Sequence, residues 1–338
     1  MPFLRRVTAG RGIPDERLAD VAEHYLHYGG VSPITAQNEA LLAALSEEFG
    51  RRGIALPLYF GNRNWHPLLT DTAATMAADG VRSALVLATS ATGSYSGCRQ
   101  YRDDLAEATA ALAERGVTAP AFTKVRHYFD NPGFIAAIAD ATRTALASFP
   151  AEGRDAVRLV FTAHSVPVSM NDSAGPSGGL YLAEHQATAR LVAEAVRGPG
   201  AEFDLVWQSR SGPPQMPWLV PDVNDHLEAL ALQDVADVVV IPSGFVSDHM
   251  EVLWDLDNEA ADTAKRLGLG FARAATAGTH PAFVSGLVDL IVEELDGLGH
   301  RPGLSELGVC GVACPAGCCP APPRRPAAAA ATSGAQGV

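Results

Sequence analysis

What most constrains the fold of this chain is an alternation of two patterns. Short, nearly continuous apolar runs at residues 54–60, 84–89, 157–163, 203–208 and 238–242 are separated by longer amphipathic stretches. A strand that is apolar on both sides is what a parallel sheet contains when helices cover both of its faces. The intervening stretches at 36–49, 67–78, 103–115, 131–148, 179–196 and 281–295 carry helical periodicity. Together they predict an α/β protein. The turn-rich FPAEGRD at 149–155 marks a boundary, after which the pattern restarts. The expected architecture is two doubly wound, Rossmann-like units, 1–150 and 151–305, facing across a cleft. A cysteine-rich segment follows at 306–319. The Pro/Ala-rich end at 320–338 has a composition expected to stay disordered. A length of 338 residues is ample to bury a core without disulfides.

Several function classes start poorly. The net charge is −13, whereas nucleic-acid binders carry a basic excess. No apolar run reaches the roughly 18–20 residues of a membrane span, and the opening MPFLRRVTAGRG lacks the apolar core of a signal peptide. A cytoplasmic location is therefore expected. There is no G-x-G-x-x-G after a strand and no Walker lysine loop, so no nucleotide is expected. In GSYSG, Tyr95 stands where a nucleophile elbow needs serine.

Ligands of open α/β sheets bind beyond the carboxyl ends of the strands. His164 follows the run VRLVFTA, where an imidazole can take a proton near neutral pH or bind a metal; the plainer alternative is a structural histidine. After the run at 238–242, the segment GFVSDHMEVLWDLDNEA (244–260) leads into a helix bearing Asp248, His249, Glu251, Asp255, Asp257 and Glu259. Glu251, Asp255 and Glu259 are spaced by four, so a regular helix would align them. Like charges at that spacing repel, and the row makes sense if a cation passes along it. A solvated acidic face is the alternative.

Other strand-end loops carry Arg63, Trp65 and His66; Tyr95, Arg99, Tyr101 and Arg102; and Arg210 and Trp218. Arginines pair with carboxylates and aromatics pack on flat rings. The implied ligand is planar, apolar in its body and carboxylated at its rim. Of the five cysteines, Cys98 stands apart while Cys310, Cys314, Cys318 and Cys319 crowd together. They read as an unstructured tail or as a soft-metal site, with zinc and an iron–sulfur cluster as competing occupants.

In HYGGVSPIT (27–35), FTAHSVP (161–167), WQSRSGPPQMPWL (207–219) and GFVSDHMEVLWDLDNEA the chain resembles the ferrochelatases, and the likeness runs to about Pro320. That resemblance implies two Rossmann-like domains around a porphyrin cleft, with a porphyrin and Fe(II) as substrates. It implies His164 and Glu251 as the pair that accepts protons and holds the metal, with Asp255 and Glu259 extending an acidic track. Ser32 and Tyr101 would contact the porphyrin and Arg63 a propionate. Some members carry a 2Fe–2S cluster; here Cys98, Cys314, Cys318 and Cys319 would hold it, with Cys310 as a substitute.

The cysteine-bearing tail and lysine-poor composition resemble the actinobacterial branch, which converts coproporphyrin III to coproheme. Protoporphyrin IX is the alternative substrate. A non-catalytic tetrapyrrole or metal binder and a cobalt chelatase are the alternative functions. Transient contact with neighbouring haem-pathway enzymes is also implied. Family members open with a β-strand ending in a Gly-Pro loop before a segment like MPFLRRVTAGRGIP. Met1 begins at that later segment, so the resemblance predicts a first sheet short of its central strand.

Overall fold

The structure, a computed structural model, describes residues 2–8, 15–212, 215–297, 299, 303–311, 314–315 and 317–321. The expected disordered end from 322 onward lies outside them. In chain order come helices α1 (Pro2–Val7), α2 (Asp15–His27), α3 (Ile34–Arg52) and α4 (Leu69–Ala78), then strand β1 (Ser83–Val86). A π-helical turn (Tyr95–Arg99) leads into α5 (Gln100–Glu114), followed by β2 (Ala121–Lys124) and α6 (Pro132–Leu146). The second half runs β3 (Arg158–His164), α7 (Val168–Asp172), α8 (Leu180–Arg197), β4 (Asp204–Gln208), α9 (Val223–Ala231) and β5 (Asp237–Ile241). A single turn, α10 (Met250–Val252), continues as a π-helix (Leu253–Ala260) and then as α11 (Ala261–Leu267), β6 (Gly270–Arg273) and α12 (Pro281–Asp296).

Among the described residues, all pairing between the named strands is parallel. β1 pairs with β2, and the other sheet has the order β4-β3-β5-β6. Along β3 the side chains alternate between two cores. Leu159 and Phe161 join the cluster built with α6, α8 and α12, while Val160 joins Val206, Leu227 and Leu256 on the opposite face. Both faces are thus covered by helices, which explains the unbroken apolar runs. Asn131 caps α6 by accepting the N–H groups of Gly133 (2.9 Å) and Phe134 (3.3 Å). α6 and α12 approach so closely that a Cβ at Gly133 would lie 2.1 Å from the Ala282 carbonyl oxygen.

The structure corrects two sequence expectations. The apolar run at 54–60 joins no ladder among the described residues. Conversely, β2 and β6 are strands that the sequence pattern did not reveal. Each is four residues long and ends on a basic residue, so neither shows an apolar run; both exist because a neighbouring strand pairs with them. No helix among the described residues is long and apolar enough to cross a membrane.

Candidate active site

β3 and β4 end side by side, with His164 in register with Gln208. The His164 Nδ1 lies 2.5 Å from the Ser165 carbonyl oxygen. A carbonyl only accepts, so Nδ1 carries a hydrogen, which leaves Nε2 as the nitrogen that can take up a proton or a metal ion. That Nε2 faces Glu251 Oε2 at 3.9 Å. From behind, the Tyr181 hydroxyl donates to the His164 carbonyl at 2.8 Å.

Glu251 is held by its surroundings on the β5–α10 connection. His249 caps the turn, its Nδ1 accepting the Glu251 N–H at 3.2 Å. Burial holds the His249 imidazole below its ordinary pKa, against the charge of Glu251, so it stays neutral beside that carboxylate. Gln37 of α3 clasps Asp248 from the other half of the molecule, donating to its carbonyl at 2.6 Å and accepting its N–H at 2.7 Å. Arg273 bridges Asp248 (3.0 Å) and Asp257 (2.5 Å).

The three carboxylates spaced by four do not lie on a regular α-helix. Glu251 belongs to α10, whereas Asp255 and Glu259 belong to the π-helix, and their environments differ. Glu251 is exposed. Asp255 is half-buried and accepts hydrogen bonds from the Ser209 hydroxyl and from Gln208 Nε2 (3.2 Å). Burial, reinforced by the charges of Glu251 and Glu259, pushes its carboxyl up to about 7. Glu259 is exposed and accepts the Trp254 indole N–H at 2.9 Å, and His24 stacks on that indole at 3.8 Å. The row therefore runs from solvent at Glu259, past a partly protonated carboxyl, to the His164–Glu251 pair.

A cavity of ≈ 1300 Å³ opens in the first half, lined by Ser32, Arg63 and Tyr101 among otherwise mostly apolar side chains. The Arg63 guanidinium sits over the Tyr101 ring at 4.8 Å, and its Nε meets Asp104 at 2.6 Å. Its Nη2 is buried without a hydrogen-bond partner among the described residues, a donor left for an acceptor from outside. Tyr25 lines the same cavity, and burial together with the Glu251 charge raises its phenol to about 12. His164 and Glu251 are not among the residues lining this cavity. Arg210, by contrast, bonds to the Met216 carbonyl on the exposed side. Trp218 packs near Gly212. Tyr25, Gln37 and Gln208 escaped the sequence reading. Only Gln208 left a signal, as the strand-tip residue paired with the strand tip of His164.

All five cysteines are free thiols, and Cys98, Cys318 and Cys319 are buried. The Cys318 and Cys319 sulfurs lie 3.8 Å apart, and the Gly175 N–H donates to Cys319 Sγ at 3.1 Å. Among the described residues no group of three or more His, Cys, Asp or Glu is placed to hold a metal ion.

The α/β architecture with parallel sheets is of the metal-chelatase type. The chain aligns with SirB from Bacillus subtilis with Fe3+ at a TM-score of 0.52 and 15% identity, covering 78% of this chain and 92% of that one. That likeness concerns the fold. Residues 1–295 match the model of the Ferrochelatase family, and the chain belongs to that family of lyases. It is 57% identical to a coproporphyrin III ferrochelatase of Nocardia farcinica, covering 97% of this chain and 94% of the relative. Proteins of the same description in Streptomyces coelicolor and Mycolicibacterium smegmatis are 51% and 54% identical, covering 98% and 89% of this chain and 92% and 86% of theirs.

Proposed function

We propose that this protein inserts Fe(II) into coproporphyrin III to give coproheme, with His164 and Glu251 as the reacting pair. The observation that carries the reading is the lone pair of His164 Nε2, fixed by the Ser165 carbonyl and facing the Glu251 carboxylate across 3.9 Å. Metal insertion forms four Fe–N bonds and releases two pyrrole protons. The single lone pair of His164 Nε2 can hold the incoming ion and, once the metal has passed to the pyrrole nitrogens, accept one of these protons, while the Glu251 carboxylate accepts the other. Asp255 and Glu259 then pass charge to and from solvent. Ser32 and Tyr101 flank the macrocycle, and the unpartnered Arg63 Nη2 suits a propionate. The substrate assignment is supported by the relatives at 51–57% identity, which carry that description.

The test is anaerobic turnover of Fe(II) with coproporphyrin III and, separately, protoporphyrin IX. Coproporphyrin III is expected to give the higher kcat/KM. His164→Ala should lower kcat by roughly 10²–10⁴-fold, as loss of a general base does; unchanged turnover would overturn the mechanism.

The same reading includes a 2Fe–2S cluster on Cys98, Cys314, Cys318 and Cys319. Four thiols are the donor set such a cluster takes. Burial and the crowding of Cys319 and Cys314 push the Cys318 thiol up to about 12, a repulsion among thiolates that bound iron would relieve. The N–H of Gly175 supplies the kind of outer hydrogen bond that sulfur ligands receive. The cluster would tie the segment 306–319 to the first unit (1–150), away from the reacting pair, in a structural or sensing capacity. Free thiols throughout suit a reducing compartment such as the cytoplasm.

A further inference from the structure

The polar side chains beneath the reacting pair form a buried chain that starts outside the site. Val160, Thr162 and His164 are two apart on β3 and so share one face of the sheet. Val160 belongs to the core that holds Leu256, and His164 faces Glu251. Thr162, between them, is 0% exposed, and Gln208 at the tip of β4 is 1% exposed. A hydroxyl and an amide buried this deeply need partners. They find each other, the Thr162 hydroxyl donating to Gln208 Oε1.

The far end of the same amide touches two acceptors. One is the Glu251 carbonyl at 3.3 Å, and the other is Asp255 Oδ2 at 3.2 Å. A carbonyl oxygen only accepts, so the amide atom facing it is Nε2. The opposite atom is then Oε1, which needs a donor, and Thr162 supplies it. Turning the amide over would set its oxygen against a carbonyl and a carboxylate. Without the Thr162 hydroxyl, Oε1 would be buried and unpaired, and the amide would be held at one end only.

The contact falls where the backbone changes. Glu251 lies in the single turn of α10, and the π-helix begins at Leu253. Ser209 reaches the same place. Its φ of 59° is left-handed, an uncommon conformation for a residue with a side chain, and its hydroxyl donates to the same Asp255 oxygen that Gln208 contacts.

We propose that Thr162 is a positioning residue for metal insertion: through the amide of Gln208 it holds the Glu251 backbone and the Asp255 side chain in the arrangement that receives the incoming cation. The effect on iron rests on the function proposed above; the ordering of the turn does not.

The test uses the full-length chain as wild type, Thr162→Val, Thr162→Ser and Gln208→Met. Valine keeps the shape of threonine without the hydroxyl, serine keeps the hydroxyl, and methionine keeps the length of glutamine without the amide. Two quantities are read. One is backbone hydrogen exchange of residues 250–256 by mass spectrometry. The other is the initial rate with Fe(II) and coproporphyrin III, each varied while the other saturates. Thr162→Val should speed exchange several-fold at 250–256, while β5 and α12 exchange as in the wild type. It should also raise the KM for Fe(II) several-fold at an unchanged KM for the porphyrin. Gln208→Met should share both effects, and Thr162→Ser should lie near the wild type on both. Wild-type exchange at 250–256 in Thr162→Val overturns the proposal, as does exchange accelerated alike in β5 and α12, or a serine variant as impaired as the valine one. An unchanged KM for Fe(II), in a wild type that does insert iron, overturns it too. A wild type that inserts no iron refutes the function instead, and exchange then decides alone. Should Thr162→Val not fold, Gln208→Met is judged by the same outcomes.

Discussion

At the scale of single residues, Asp255 has the environment with the clearest consequence. Its carboxyl is raised from its ordinary value to about 7, chiefly by burial and then by Glu251 and Glu259. The folded chain therefore binds that proton more tightly than the unfolded chain does. The stabilisation this gives is complete below the unfolded value and is lost as pH rises through about 7. Asp255→Asn cannot ionise, so its melting temperature should fall less than that of the wild type between about pH 4 and 7. Parallel thermal melts across that interval check this, and equal slopes would refute it. His164 and Glu251 were singled out in the sequence because each follows an apolar run that reads as a strand, a signal that failed for the run at 54–60. Gln208 orients its amide through Thr162 and reaches both Asp255 and the Glu251 carbonyl; that role depends on register between strands, which sequence spacing does not contain.

Among the elements, the sheet of β3–β6 announced three of its four strands because both of its faces are buried. β6 and β2 stayed hidden because each ends on a basic residue, whereas the equally short β1 continues into a longer apolar run. The π-helix was equally silent: four-residue spacing reads the same whether the bonds run to i−4 or i−5, and only coordinates separate them. The connection of β2 to α12 makes a prediction about stability. Arg126 and Glu293 form a buried two-point ion pair, with Nε–Oε1 at 2.7 Å and Nη2–Oε2 at 3.3 Å. Arg126→Met removes one member of this buried pair and should cost about 3–5 kcal/mol, whereas Arg126→Met with Glu293→Leu should recover most of that loss. Denaturant midpoints of the single and double variants measure it, and a double variant no better than the single would refute it.

For the whole molecule, the two halves are unequally packed. The second sheet is sealed on both faces, while β1 is hydrogen-bonded among the described residues only to β2 and borders the ≈ 1300 Å³ cavity together with α3. Protein interiors are normally close-packed, so the lining of a cavity this large lacks contact partners and should open locally at lower free energy than the β3–β5 core. A ligand that fills the cavity and binds only the folded state stabilises it by about 2.7 kcal/mol at a hundredfold excess over Kd. The metal-free substrate should therefore raise the melting temperature, at roughly 1–2 °C per kcal/mol for a chain this long. Added hydrogen-exchange protection should concentrate in α3 and β1 rather than in β3–β5, because only the first set lines the cavity. Protection spread evenly over both sheets would mean that the macrocycle binds elsewhere, and a melting temperature indifferent to porphyrin would mean that the folded chain does not bind it; either result would take from Ser32, Arg63 and Tyr101 their assigned ligand.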